Sequence, residues 1–254
     1  MKTIATAVIA GALAASLNAQ TAQEETTAEI FTAPSGEILR YRQHLPKNVA
    51  AGKKLPLVLF LHGAGERGTN NVSQLKHGVS ALLQHGAKAN DPAVLLAPQC
   101  PSGMQWVNVP WSAPSHTMPE QPSDSMRLAL ALLREKLATL PIDPDRVYVT
   151  GVSMGGYGTW DAIQREPALF AAALPICGGG DTARAPSIKN IPVWTFHGDK
   201  DTAVPVNRSR DMAKALEACG GKIQYREYPG AGHDVWTRTY NDSDVLAWFF
   251  SQHR

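Results

Sequence analysis

The chain has 254 residues, 44% of them hydrophobic and 18% charged, with a net charge of +2 and three cysteines. This composition excludes a disordered chain and allows one α/β domain with a sizeable core. A near-neutral charge with no basic block argues against nucleic acid as a partner.

Residues 1–19 read as a secretory signal peptide. Lys2 supplies a positive start, residues 4–17 are apolar and Ala-rich, and Leu17-Asn18-Ala19 ends on a small residue. The run is too short for a good membrane span, and no cysteine stands at the cleavage point for a lipid anchor. Export to the periplasm or the medium follows, with no membrane attachment once the signal is removed. Residues 20–28 are polar and read as a flexible tail, leaving 29–254 as the folded domain.

Strands are expected at 29–32 and 37–45, joined by a turn at Pro34-Ser35-Gly36. The continuous apolar run 55–61 suits a strand covered on both faces. A helix over 74–85 and a strand over 93–97 come next. Residues 99–121 are irregular and rich in proline, with Trp106 and Trp111 either covering the core or offering flat surfaces to a ligand. Ser123 or Asp124 caps a helix that runs to 140. Further strands fall at 146–150, 170–176, 192–196 and 222–228, and helices at 156–165, 206–219 and 245–253. There is no internal repeat and no linker. The alternation implies a single α/β domain, a mostly parallel sheet with helices on both faces.

Gly151-Val152-Ser153-Met154-Gly155 fits G-x-S-x-G between an apolar strand and a helix, the context of a nucleophile elbow. The two glycines leave room in a tight turn, and the helix N-terminus behind Ser153 favours developing negative charge. A second glycine-rich loop, Gly63-Ala64-Gly65-Glu66-Arg67-Gly68, matches the dinucleotide fingerprint. Two strands precede it, however, and the following strand ends in Pro98-Gln99-Cys100 without an acid for a ribose. A His-Gly loop whose backbone N–H groups face the elbow is the better reading, so no nicotinamide is expected.

A serine hydroxyl needs a base, and the base needs a carboxylate to fix its tautomer. The histidines after Ser153 are His197, His233 and His253. His233 lies in a Gly-rich loop after the last strand and is the expected base; Asp199 and Asp201 both follow the preceding strand and could supply the acid. No H-E-x-x-H motif or Cys/His cluster calls for a metal, and no cofactor is expected. Cys100, Cys177 and Cys219 are an odd count, read as thiols packed like small hydrophobes.

The segments LHGAG at 61–65, GVSMGG at 151–156, HGDKDTAVP at 197–205 and GAGH at 230–233 resemble the α/β-hydrolase superfamily. They are most similar to its exported esterases, the branch of polyhydroxybutyrate-depolymerase-like, feruloyl and acetylxylan esterases, with dienelactone hydrolases and prolyl oligopeptidase domains as relatives. The resemblance implies the α/β-hydrolase fold, Asp201 as the acid, and the backbone N–H groups of Ala64 and Met154 as oxyanion donors. It also implies an ester substrate, small or carried on a polysaccharide or polyester. The stretch 177–190 leaves little room for a lid, unlike many relatives. Two other functions fit the same fold: a peptidase of prolyl-oligopeptidase type, which lacks a gating domain here, and a non-catalytic binding protein, which would have no use for the triad.

Overall fold

The computed structural model describes residues 21–47 and 49–254; the expected signal peptide lies outside them. Its centre is the strand Leu55–Leu61, in which every residue is buried. Leu57, Leu59 and Leu61 point into one hydrophobic cluster, and Val58 and Phe60 into a second on the opposite face. The two-residue period of a strand thus feeds two cores from one apolar run. Each such side chain taken fully out of water contributes roughly 1.5–3 kcal/mol.

This strand is β3 of eight: β1 Thr27–Thr32, β2 Ile38–His44, β3 Leu55–Leu61, β4 Val94–Pro98, β5 Ile142–Val152, β6 Ala172–Ile176, β7 Val193–Gly198 and β8 Ile223–Tyr228. They form one sheet in the order β1-β2-β4-β3-β5-β6-β7-β8. β1–β2 and β2–β4 are antiparallel, and the remaining pairs are parallel. The helices are α1 Val79–Lys88, α2 Asp124–Thr139, α3 Met154–Arg165, α4 Asn207–Ala218, α5 Trp236–Tyr240 and α6 Ser243–Ser251. Side chains of α2, α3 and α4 pack in the first cluster, and those of α1 and α6 in the second. Helices therefore cover both faces, as a parallel sheet requires. No helix among the described residues is long and apolar enough to cross a membrane.

Three local expectations are corrected, and one short helix is added to them. Of the expected flexible tail 20–28, the described residues 21–28 are tied to the sheet. Residues 21–24 form a helical turn, and Ala22 is fully buried. The buried Arg42 donates from Nε to Thr26 Oγ1 (3.0 Å) and from Nη2 to the Thr26 carbonyl (2.7 Å). Hydropathy cannot register such an anchor, because it is built from polar groups. The helix expected over 74–85 starts later: Gly78 has φ 77°, outside helical space, so a short 3-10 turn Ser73–Leu75 precedes α1. The strand expected over 146–150 is longer: β5 begins at Ile142 and ends at Val152. The one-and-a-half-turn helix α5 is too short to carry a periodic signal of its own. At the cap of α2 the choice falls on Ser123, whose hydroxyl accepts from the Met126 N–H at 3.1 Å.

Candidate active site

β5 ends at Val152 and α3 begins at Met154, so Ser153 alone makes the turn. Its φ of 55° and ψ of −117° lie outside the regions a side chain favours, a strain of about 1–3 kcal/mol. The elbow persists because its surroundings allow nothing else. A Cβ on Gly155 would sit 1.8 Å from the Leu61 carbonyl oxygen, and one on Gly151 would sit 2.4 Å from the Gly155 oxygen. Gly155→Ala should therefore destabilise the fold by more than about 4 kcal/mol, the range reserved for gross steric conflict. Urea denaturation beside wild type measures this; a loss under 1 kcal/mol would mean that β3 and the elbow are not in such close contact.

His233 follows β8 in the loop before α5. Its Nε2 lies 2.8 Å from Ser153 Oγ, and its Nδ1 lies 2.6 Å from Asp201 Oδ2. The three residues come from the ends of β5, β7 and β8, all at the carboxyl edge of the parallel sheet. Burial alone would raise the Asp201 carboxyl, but hydrogen bonds from His197, His233 and the Val204 N–H outweigh it and hold the group ionised, well below the usual carboxylate range. An ionised Asp201 accepts from His233 Nδ1–H and leaves Nε2 unprotonated toward the serine. That arrangement can take a proton from Ser153 and return it to a leaving group.

Of the two carboxylates left open by the sequence, Asp201 is the one at His233. Asp199 Oδ1 instead accepts the Gly230 N–H at 2.7 Å and ties down the loop that carries the histidine. His253 is far from the site, exposed in the C-terminal tail. It lies close enough to Asp91 to influence that carboxylate, which is paired with Arg146 near the beginning of β5.

The loop after β3 is braced from below. His62 is fully buried, and burial pushes its imidazole down to about 4, so it is neutral. Its Nδ1 donates to the Gly63 carbonyl (2.6 Å), and its Nε2 accepts the Cys100 N–H (2.9 Å). Residues 64–66 then form a 3-10 turn. No long helix follows directly, so the dinucleotide fingerprint lacks the element it needs. Ala64 is half-buried at the start of this turn, and Met154 heads α3, where the first N–H groups have no partner within the helix.

The two tryptophans singled out in the sequence part ways. Trp106 is corrected: it is fully buried, and its Nε1 donates to the His62 carbonyl at 3.0 Å. It braces the His62 loop and has no face left for a ligand. Trp106→Ala should lower stability by about 3–5 kcal/mol and activity on every ester alike; selective loss on aromatic esters would contradict this. Trp111 is half-buried, with the Arg67 guanidinium 5.7 Å above its ring and its carbonyl accepting from Tyr157 Oη at 2.8 Å. Trp236, on the unexpected α5, stands edge-on to His233 with ring centroids 5.1 Å apart. Only its position three residues after His233 could have pointed to it.

Irregular residues 99–122 are strapped down by polar contacts rather than by a ladder. Arg208 reaches the Pro114 carbonyl (3.1 Å), Arg165 the Pro119 carbonyl (2.7 Å), and the Met118 N–H donates to Asp181 (2.9 Å). All three cysteines are free; Cys100 and Cys177 are buried and Cys219 is half-buried. Burial pushes the Cys100 thiol up to about 11 and the Cys177 thiol well above its ordinary value, so neither is a reactive thiolate.

Residues 48–244 match the phospholipase/carboxylesterase family. A protein of Oryza sativa subsp. japonica named "Probable carboxylesterase" is 26% identical over 203 residues, covering 75% of this chain and 76% of its own. A crystal structure titled as a thermostable esterase superposes with a TM-score of 0.84 at 40% identity, over 91% of this chain and 64% of that one. The present chain thus spans under two thirds of that esterase's length. A ferulic acid esterase shares the fold, with a TM-score of 0.65 at 17% identity over 89% of this chain and 97% of its own. With an eight-stranded, mostly parallel sheet, a strained serine at the elbow and a family match across most of its length, the chain belongs to the phospholipase/carboxylesterase family of the α/β-hydrolase superfamily.

Proposed function

We propose that this protein is a secreted serine carboxylesterase for short-chain or aromatic acyl esters, free or carried on a polysaccharide or polyester. The observation that carries the reading is the unbroken line from Asp201 through His233 to Ser153 Oγ, with contacts of 2.6 and 2.8 Å. Ser153 Oγ attacks the ester carbonyl carbon while His233 Nε2 takes its proton. The carbonyl oxygen becomes an oxyanion held by the Ala64 and Met154 N–H groups. The intermediate collapses as His233 returns the proton to the departing alcohol, leaving an acyl-serine. Water, deprotonated by the same nitrogen, attacks the acyl carbon; the acid leaves, and the proton returns to Ser153.

Openness supports the substrate class. The His233 side chain is 26% exposed. The segment between β6 and β7 holds only the seven-residue 3-10 stretch Thr182–Ile188, too little for a lid. A site without a lid admits an ester projecting from a large carrier. It gives a long acyl chain little apolar wall, and each methylene left in water forgoes about 0.8 kcal/mol. Trp111 supplies a flat surface for an aromatic acyl group or a sugar ring. Export rests on the character of residues 1–19.

The test is kcat/KM on p-nitrophenyl esters from acetate to palmitate, with methyl ferulate alongside. Values should fall as the acyl chain lengthens, without activation at an interface. Trp111→Ala should cost methyl ferulate about tenfold and acetate much less, an effect near 1.4 kcal/mol. A maximum at palmitate would sink the open-site reading.

A further inference from the structure

The proton path described above leaves out one histidine of the motif that supplies Asp201. His197 closes β7 and is fully buried. Its Nε2 lies 3.1 Å from Asp201 Oδ2 and 3.1 Å from the Val204 carbonyl oxygen. An ionised carboxylate and a carbonyl can only accept, so Nε2 carries a proton and is shared between them. Its Nδ1 lies 2.8 Å from Ser209 Oγ on α4. Ser209 has one hydroxyl proton and a second acceptor within reach, the Gly178 carbonyl at 3.1 Å. The hydroxyl can therefore donate to an unprotonated Nδ1, or turn to Gly178 and accept from a protonated one. Either way no buried polar atom of the ring is left without a partner, which is what fixes its plane.

One carboxylate oxygen thus sits between two imidazoles, His233 at 2.6 Å and His197 at 3.1 Å. The other oxygen, Oδ1, is held by the N–H groups of Ala203 (2.8 Å) and Val204 (2.9 Å). How strongly Oδ2 stabilises a positive His233 depends on how much of its charge His197 already engages. The remaining ionisable neighbours do not perform this task. Glu227 on β8 is committed to Arg210 and Tyr225. Cys177, whose sulfur lies within 4.8 Å of the Asp201 and His233 ligand atoms, is a neutral thiol and a weak donor, and its single S–H proton is directed to the His233 carbonyl at 3.2 Å. Tyr157 on α3 feels the Asp201 charge, and its burial keeps it a neutral phenol.

We propose that His197 is a positioning residue for the ester hydrolysis: its Nε2–H locks Asp201 in the rotamer that meets His233 and draws off part of the Oδ2 charge. The proposal rests on the reading of Asp201 and His233 as acid and base. Without this imidazole donor, Oδ2 gives more of its charge to His233. The His233 imidazolium is then stabilised, and the base is harder to free. Removing His197's hydrogen bond moves the acid limb of the rate profile toward higher pH, which loss of packing by itself does not do.

The experiment compares wild type with His197→Leu and His197→Gln by pH profiles of kcat and KM on p-nitrophenyl acetate. Glutamine places an amide N–H where Nε2 stands; leucine fills the space without a donor. In His197→Leu, kcat should fall roughly 10- to 100-fold with KM within about threefold. Its acid limb should move up by about 0.5 pH unit or more. His197→Gln should recover the position of the limb and most of kcat. A limb that stays or moves down in His197→Leu overturns the proposal, as does a His197→Gln enzyme no closer to wild type. If the leucine variant does not fold, proton NMR of the wild type decides. Two downfield imidazole N–H resonances are expected, both displaced by Asp201→Asn; movement of only one overturns the shared contact. Fluorophosphonate labelling of wild-type Ser153 runs in parallel. Failure to label refutes the serine reading, whereas normal labelling with an unmoved limb refutes the role of His197 alone.

Discussion

Ser153→Ala should fold as the wild type does and hydrolyse p-nitrophenyl acetate roughly 10³- to 10⁶-fold more slowly. The expectation follows from what the hydroxyl does and what it does not do. Ser153 Oγ makes its contact with His233 and supplies no side-chain cap to α3, so its loss leaves the helix start unchanged. The backbone strain at φ 55° remains with alanine, so stability should change little. The loop after β3, proposed to hold the oxyanion, stays in place on its His62 and Trp106 supports. Residual turnover above water would come from those donors and from binding. Thermal denaturation and kcat/KM on the same preparation separate the two effects. A fluorophosphonate should label Ser153 in the wild type and nothing in the variant. Labelling at another serine, with Ser153 untouched, would move the nucleophile elsewhere.

Asp201→Asn should cost about 10⁴ in kcat, and Asp199→Asn less than about tenfold. The asymmetry comes from the hydrogen bonds. Asp201 Oδ1 accepts two backbone N–H groups, Ala203 and Val204. An asparagine there keeps its carbonyl on that side and turns its NH2 toward the two histidines. His233 Nδ1 then faces a donor and must accept, which places the ring proton on Nε2, facing Ser153. A protonated Nε2 cannot serve as base. Asp199 meets only the Gly230 N–H, which an asparagine carbonyl accepts equally well. Steady-state kcat for both variants, with circular dichroism to confirm folding, checks the ranking. The reverse ranking would give the acid role to Asp199.

Much of the site was legible because its chemistry lies in short, contiguous segments. The elbow motif carries its own glycines, and their requirement is local: a side chain at 151 or 155 collides with backbone only a few residues away or on the neighbouring strand. His233 could be chosen because it follows the last strand, and a parallel sheet brings the carboxyl ends of its strands to one edge. The apolar run of β3 gave its own burial on both faces. The fate of the tryptophans was not legible. Trp106 and Trp111 are five residues apart in a stretch without periodicity, and only packing against His62 places one fully in the core while the other stays half-buried at its edge.

The sequence by itself determined the order of the strands, the glycine-flanked turn at Ser153, the order in which Ser153, Asp201 and His233 occur along the chain and the shortness of the segment between β6 and β7. Each depends on hydrophobic period, glycine placement or segment length, which are properties of neighbouring residues. Tertiary structure alone decided which aspartate meets His233, that Trp236 stands against that histidine, and that a second, buried histidine shares the same carboxylate oxygen. It also decided that residues 21–28 are anchored, through a guanidinium that reaches them from β2. These are side-chain contacts of a few ångströms between segments far apart in the chain. They depend on rotamer and strand register, which no run of neighbouring residues specifies.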